Sequence, residues 1–374
     1  MNLENRQIWQ IAAGDTDRHY ADMCLRFGIV VIGPGRYGHM TGTVNAVAEM
    51  RKEGISSRQI TMLQQFAAEI KEGDIAVLRI GRSEVHGVGI IRGKYSWSPT
   101  LMDVDGWDIC HYWPVEWVWK SDGKPKLFQN ALNFGNTLQR LTQSPTTDAL
   151  FSWLSELPES REGYAISDLP PAGRPLSIDA LCQPLYDYGI SLNNLSGLKD
   201  CISQLQALAK WYGTYSNRPS EHETVTHLVV PLLLALGWTP QRIALEYHQT
   251  GIGRADVALY EYGNRQDEYL TAIVEAKKFG RSCLRAESQV RSYVAEPINR
   301  LIVTDGIRYG IFCKDENNRF PDHPTAYLNL ADPRDGYPIY GDNCAGADEA
   351  LWLMNADWRH NLPKPGIVGK DIAA

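Results

Sequence analysis

Short apolar runs bounded by turn residues dominate the start of the chain, and a helical period of apolar positions takes over further on. The stretches Ile8–Gly14, Gly28–Gly35, Ile75–Ile80, Val85–Arg92 and Val115–Trp119 each predict a strand. Between them Ile60–Ile70 has the spacing of an amphipathic helix, and Lys71-Glu72-Gly73-Asp74 predicts a turn. So many short strands with few helices predict a small β-barrel domain over residues 1–120. Residues 121–215 are punctuated by Ser144-Pro145 and Leu169-Pro170-Pro171. They predict a helical connector with helices at Thr147–Leu157 and Leu195–Tyr212, the second carrying Leu198, Cys201, Ile202, Leu205 and Leu208 on one side. From 216 to 354 the pattern is mixed. Ser220 with Glu223 three positions on predicts a capping box. The helix it opens carries a stripe of Leu228, Leu232, Ala235 and Leu236 and stops at Gly237. Apolar strands follow at Gly253–Leu259, Ala272–Glu275, Ile302–Thr304 and Tyr309–Phe312, and Gln289 and Tyr293 share a helix face. Residues 355–374 read as a C-terminal tail.

Composition narrows the class. A chain of 374 residues has room for two domains, and 44% hydrophobic residues is ordinary for a globular protein. No apolar run reaches the length of a membrane span, and Met1-Asn2-Leu3-Glu4-Asn5-Arg6 lacks a signal-peptide pattern. The seven cysteines are odd in number and form no C-x-x-C pair, which predicts a reducing cytoplasm and no structural zinc. The nine histidines have no metal-ligand spacing. A net charge of −7 does not fit a nonspecific DNA binder. The stretch Lys277–Arg300 runs against that average, with Lys277, Lys278, Arg281, Arg285, Arg291 and Arg300 set against Glu287 and Glu296.

The chemistry concentrates in Gly253-Arg254-Ala255-Asp256 and Glu275-Ala276-Lys277. Two carboxylates on neighbouring strands suit a divalent metal, and phosphodiester hydrolysis needs one to neutralise the phosphate and activate water. Asp256 and Glu275 are the candidate metal ligands, with the Ala276 main-chain carbonyl as a third oxygen. Lys277, two residues from Glu275, falls on the same strand face, where its ammonium can orient water or stabilise the phosphate. Glu221, in the first turn after Ser220, can also face a metal. The same residues also serve a bland purpose: Asp256, Glu275 and Lys277 as a surface ion pair, Glu221 as compensation for the helix dipole.

Read together, these segments resemble the PD-(D/E)xK nuclease superfamily, and among its members the N-terminal nuclease domain of type I restriction enzyme R subunits. The resemblance covers residues 216 to 354. It rests on Ser220-Glu221-x-x-Thr224 before Pro231-Leu232-Leu233-x-x-Leu236-Gly237-Trp238, on Gly253-Arg254-Ala255-Asp256, on Glu275-Ala276-Lys277, on Gln289-x-x-x-Tyr293 and on Thr304-Asp305-Gly306. Ala326–Leu330 and Gly346–Leu351 are similar to the closing elements, and Asp305 stands where Asn is commoner. The resemblance implies a restriction-endonuclease-like α/β fold, a mixed central sheet flanked by helices. It implies Asp256, Glu275 and Lys277 as the catalytic core, Glu221 as a metal- or water-associated acid, and Gln289 and Tyr293 as DNA-side supports. Mg²⁺ is the implied metal, with Mn²⁺ as a substitute. The chain carries no motor motifs for ATP-driven cleavage.

The first 120 residues resemble the PUA-like superfamily, including EVE-type domains. The likeness lies in the Trp9 strand, Gly28-Ile29-Val30-Val31-Ile32-Gly33, Lys71-Glu72-Gly73-Asp74 before a strand, and His111-Tyr112-Trp113-Pro114-Val115-Glu116-Trp117. It implies a PUA-like barrel with helices that takes a flipped, modified base. A flipped base is held by stacking and by hydrogen bonds to its edge. Tyr95, Trp97 and Trp107 in the Gly93–Asp108 loop are the pocket candidates, with Trp113 and with Arg36 in Gly33-Pro34-Gly35-Arg36. Trp113, Trp117 and Trp119 share one strand face, a stripe that more often belongs to a core, and Arg36 equally suits an exposed turn.

The combined expectation is a modification-dependent DNA endonuclease of bacterial defence type. It would read methylated or hydroxymethylated cytosine in double-stranded DNA, act as a homodimer in the cytoplasm, and have no membrane partner. Two other readings stay open: a defence effector nuclease gated by a small nucleotide or a partner protein, and a modified-nucleic-acid-binding protein that does not cut.

Overall fold

The β-branched and aliphatic runs of the first 171 residues pair into one curled, half-barrel sheet of eight strands. Its strands are β1 (Ile8–Ala12), β2 (Ile29–Ile32), β3 (Ile75–Ile80), β4 (Glu84–Ile91), β5 (Ser96–Trp97), β6 (His111–Lys120), β7 (Lys126–Leu127) and β8 (Leu138–Leu141). The path is β2-β6-β4-β3-β1-β8, with β5 on β6 and β7 on β4; β1 and β3 run parallel and every other pairing is antiparallel. This computed structural model describes residues 1–14, 18–41, 45–128, 136–160, 165–166, 168–214, 218–249, 253–292 and 297–359. The chain forms two compact units, Met1–Pro171 and Ala172–Ala374, so residues 121–215 are shared between them.

In the first unit the helices are α1 (Ala21–Phe27), α2 (Ala46–Lys52), α3 (Ser57–Ala68) and α4 (Asp148–Glu156). Leu150 and Leu154 of α4 join Ile8, Ile75, Val77, Val85 and Val88 in one core, where Trp153 meets Trp119 edge-on at 4.9 Å. A capping box at Ser56 and Gln59 starts α3, which buries Ile60, Leu63 and Phe66. The motif Lys71–Asp74 and the Trp9 strand are joined by a single carboxylate. Buried Asp74 accepts from the Trp9 indole Nε1 (3.0 Å), from Lys71 N (3.0 Å) and from Gln7 N (3.1 Å).

The second unit is a six-stranded mixed sheet with helices. Helices α5 (Ile178–Asp187) and α6 (Leu192–Thr214) lead into α7 (Glu221–Thr224) and α8 (Val230–Ala235). The strands are β9 (Ile243–Gln249), β10 (Gly253–Tyr260), β11 (Leu270–Ala276), β12 (Arg300–Thr304), β13 (Arg308–Cys313) and β14 (Ala326–Asn329). Helix α9 (Glu287–Arg291) lies between β11 and β12, and α10 (Ala347–Met354) follows β14. The sheet order is β14-β13-β12-β11-β10-β9; only β11 and β12 are parallel. Ala258, Ile273, Leu301 and Phe312 from four strands close over Val290 of α9 and Ile298.

Three expectations are corrected here. The stripe on α6 is Leu195, Leu198, Ile202, Leu205, Ala209 and Tyr212, while Cys201 and Leu208 are only half-buried, because at about 100° per residue they fall at the edge of that face. The helix that Ser220 opens is not uniform: a π-helical segment, Val225–Val229, separates α7 from α8. Pro231 has no N–H to give to the carbonyl four residues back, so the regular ladder cannot run through. Arg300 is no part of a basic surface. It is 1% exposed, its Nη1 donates to the carbonyls of Leu353 (2.8 Å) and Asn355 (3.2 Å), and its guanidinium lies over the rings of Trp238 and Trp358. Arg291 is held by Glu287 (2.8 Å), leaving Lys278, Arg281 and Arg285 as the exposed cations of that stretch.

Candidate active site

The second unit brings Asp256, Glu275, Lys277 and Gln289 together at one end of the sheet, and the connections are made by strand register. β10 and β11 pair with Val257 opposite Val274. One step further the backbone ladder stops, and the Asp256 side chain replaces it: Oδ2 accepts from the Ala276 N–H at 2.7 Å. That bond fixes Asp256 beside the Glu275-Ala276-Lys277 segment. On the other side the parallel strand β12 sets Val303 opposite Glu275 and Thr304 opposite Ala276, and Lys277 N donates to Thr304 O at 2.7 Å. Lys277 lies just past the last residue of β11, and its ammonium donates to Glu275 Oε1 (3.0 Å) and Gln289 Oε1 (2.9 Å). Gln289 comes from α9, so the ammonium joins β11 to α9. Tyr293 lies outside the described residues.

Electrostatics show how tightly the acids are gathered. Burial, then the neighbouring Asp256, push the Glu275 carboxyl up to about 7 against the opposing pull of Lys277. Burial also raises Asp256, opposed by its hydrogen bond from Ala276 and by Lys277 and Arg254. Glu221 is raised by burial and by Asp256 and lowered by Lys277 and Arg254, so the first turn of α7 faces this cluster too. The capping box seats that turn: Ser220 Oγ accepts from Glu223 N (3.2 Å), and Ser220 N donates to Glu223 Oε2 (2.7 Å).

The donor set suits a divalent cation. Glu275 is 2% exposed, and its Oε2 is buried with no hydrogen-bond partner among the described residues. An anionic oxygen left so is costly unless a cation supplies the missing interaction. No group of three or more His, Cys, Asp or Glu side chains that could hold a metal occurs among the described residues. Mg²⁺ does not require one, since it commonly takes one or two carboxylates and keeps water and phosphate oxygens for the rest.

The first unit contains a cavity of about 920 Å³ whose wall includes Tyr20, Arg36, Arg79, Arg82, Trp107 and Asp108. Of the five aromatic and basic candidates, Trp107 and Arg36 line it. Trp107 carries the Arg18 guanidinium at 4.5 Å over its ring and meets Tyr20 edge-on at 6.0 Å. The Gly33–Arg36 turn is fastened by Asp108, which accepts from Gly35 N (2.9 Å) and Arg36 N (3.0 Å). Tyr95, Trp97 and Trp113 brace the surroundings and do not line the wall. Trp97 Nε1 donates to Gly35 O (2.7 Å), and Trp113, buried, donates to Phe66 O (2.8 Å). Tyr95 Oη lies 2.6 Å from His111 Nδ1, while His111 Nε2 lies 3.0 Å from Pro34 O. The patterning overlooked Tyr20, Arg79 and Arg82. For Arg79 a signal existed: it is the one charged residue in the apolar run Ile75–Ile80, and it is 4% exposed with Nη1 on Gly81 O (2.6 Å) and Nη2 on Asn136 O (2.7 Å).

Among the described residues, no helix is long and apolar enough to cross a membrane. Residues 9–144 match a family described as a domain of unknown function, DUF8426. No curated protein and no solved structure matches the chain.

Proposed function

We propose that the chain is a Mg²⁺-dependent DNA endonuclease whose first unit recognises a modified base. The observation that carries the nuclease half is the buried, unpartnered Glu275 Oε2 beside Asp256, with Lys277 bridging Glu275 and Gln289. The resemblance to PD-(D/E)xK nucleases supports the same assignment, and with it a restriction-endonuclease-like fold for the second unit and a PUA-like barrel for the first. Asp256, Glu275 and the Ala276 carbonyl would hold the metal, with Glu221 reaching it through water and Mn²⁺ able to substitute. Bound there, Mg²⁺ would supply charge neutralisation for the phosphate and acidify the attacking water. Lys277, held by Glu275 and Gln289, presents an ammonium to the charge that develops on the phosphate. Gln289 orients that ammonium. One such site cuts one strand, so a double-strand break calls for a homodimer or two visits.

The cavity wall supports base recognition: Trp107 and Tyr20 offer aromatic surface, and Arg36 stands on a turn clamped by Asp108. The same cavity favours a second reading, a nuclease gated by a small nucleotide, since about 920 Å³ is ample for one and three arginines line the wall.

The test is a cleavage assay with Mg²⁺ on matched DNAs carrying unmodified, 5-methylated, 5-hydroxymethylated or glucosylated cytosine, with Asp256→Ala as control. Cutting of one modified DNA only is the expected result. Equal cutting of all four removes the base reader. Cutting that starts only when a nucleotide is added selects the gated reading, and binding without cutting selects a non-cleaving binder.

A further inference from the structure

We infer that Thr224 is a positioning residue for the proposed reaction: its buried hydroxyl couples the turn that carries Glu221 to the segment that carries Lys277. Thr224 is 0% exposed, and its Oγ1 makes two hydrogen bonds. It donates to Ser220 O at 2.8 Å, and it accepts from Phe279 N at 3.1 Å. The first bond is the ordinary back-bond of a threonine near a helix start. Ser220 O does not depend on it, because it also accepts the Thr224 N–H at 2.9 Å. The second bond crosses to a different part of the chain. Phe279 lies two residues beyond Lys277, and its N–H is a buried donor that the threonine hydroxyl satisfies.

The coupling is tight on its other faces. Gly306, at φ +88°, ends the Thr304-Asp305-Gly306 turn, and a Cβ there would lie 2.8 Å from Thr224 Cγ2 and 2.7 Å from Leu228 Cδ1. Thr304 of that turn holds Lys277 by its main-chain N–H. The Lys277–Phe279 segment is therefore fixed at one end by Thr304 and at the other by Thr224. Glu221 stands one turn before Thr224 on the same helix start, three residues from the hydroxyl that holds the Lys277–Phe279 segment. Removing the hydroxyl frees the distance between the acid and the ammonium without deleting either.

This inference rests on the nuclease reading. The experiment compares wild type with Thr224→Ser, Thr224→Ala and Thr224→Val on one DNA substrate with Mg²⁺, measuring kcat, KM and thermal unfolding. Serine and alanine both lack the buried methyl, so they differ only in the hydroxyl; valine keeps the shape and lacks the hydroxyl. Alanine and valine are expected to lower kcat about 10–100-fold with KM within about twofold. Serine is expected to stay within about threefold of wild type although it melts lower. Activity that follows melting temperature across the three variants, or valine with wild-type kcat, overturns the inference while leaving the nuclease standing. If valine does not fold, the serine–alanine pair decides alone. A wild-type protein that cuts no DNA with or without added nucleotide sinks the nuclease reading and this inference with it.

Discussion

Asp256 is tied to Ala276 N, and Lys277 to both Glu275 and Gln289, and replacement of Asp256, Glu275 or Lys277 should separate chemistry from binding. Alanine at any of the three is expected to lower cleavage by about 10²–10³-fold or more, with DNA affinity in a gel-shift assay nearly unchanged; full activity in one variant removes that residue from the assignment. Glu275 also makes a prediction for the metal-free protein. Its carboxyl titrates near 7 in the folded chain, above its ordinary 4.5, so between those values the folded state keeps a proton that the unfolded state has lost. Stability from this group therefore falls as pH rises through that window, by about 1–3 kcal/mol. Glu275→Gln should flatten the dependence, and Mg²⁺ should raise the melting temperature of wild type but not of the variant. His111 works in the opposite sense. Burial holds it down to about 4 from 6.5, against the bond to Pro34 O. The unfolded chain takes up the proton first, so stability is full above 6.5 and falls as pH drops toward 4, by about 2 kcal/mol at pH 5. Melting curves of the metal-free protein at pH 7 and pH 5 check it, and an unchanged first unit at pH 5 contradicts the neutral histidine.

At the scale of elements, what could be read in the sequence was what local chemistry enforces. Ser220 and Glu223 form the capping box their spacing predicts, and Ser220→Ala should cost about 1 kcal/mol in a melting experiment. The runs Gly253–Tyr260 and Leu270–Ala276 could be read as strands because Ala255, Val257–Leu259 and Ala272–Val274 are apolar around the acids. The helix Ile178–Asp187 escaped notice. Pro184 sits inside it, and its burial of Leu181, Cys182 and Leu185 comes from tertiary packing, where Tyr188 just beyond it stacks on Trp352 at 4.1 Å. The cavity wall was only partly legible for a related reason. Loop aromatics mark a pocket by composition, but which ones face it depends on hydrogen bonds such as Trp97 to Gly35 O, formed between residues far apart in sequence.

For the whole molecule, net charge alone misleads about DNA binding. The count of −7 averages over two units, and the basic stretch of the second is thinner than its sequence suggests once Arg300 is buried and Arg291 is paired. Lys278, Arg281 and Arg285 remain exposed, so a plot of log affinity against log salt should have a slope near about −3. A slope steeper than about −6 would mean that other cations carry the contact. A shallow slope would leave recognition of the base, and not the phosphate backbone, as the main source of affinity.

The Asp256 carboxylate is a structural staple as well as an acid, because it takes the ladder bond that the strand backbone leaves open at Ala276. Alanine there abandons a donor inside the sheet, whereas asparagine keeps an oxygen for it and removes only the charge. Asp256→Asn is therefore the variant with which to capture the protein on intact DNA, its strand edge still sewn together and its cutting edge blunted.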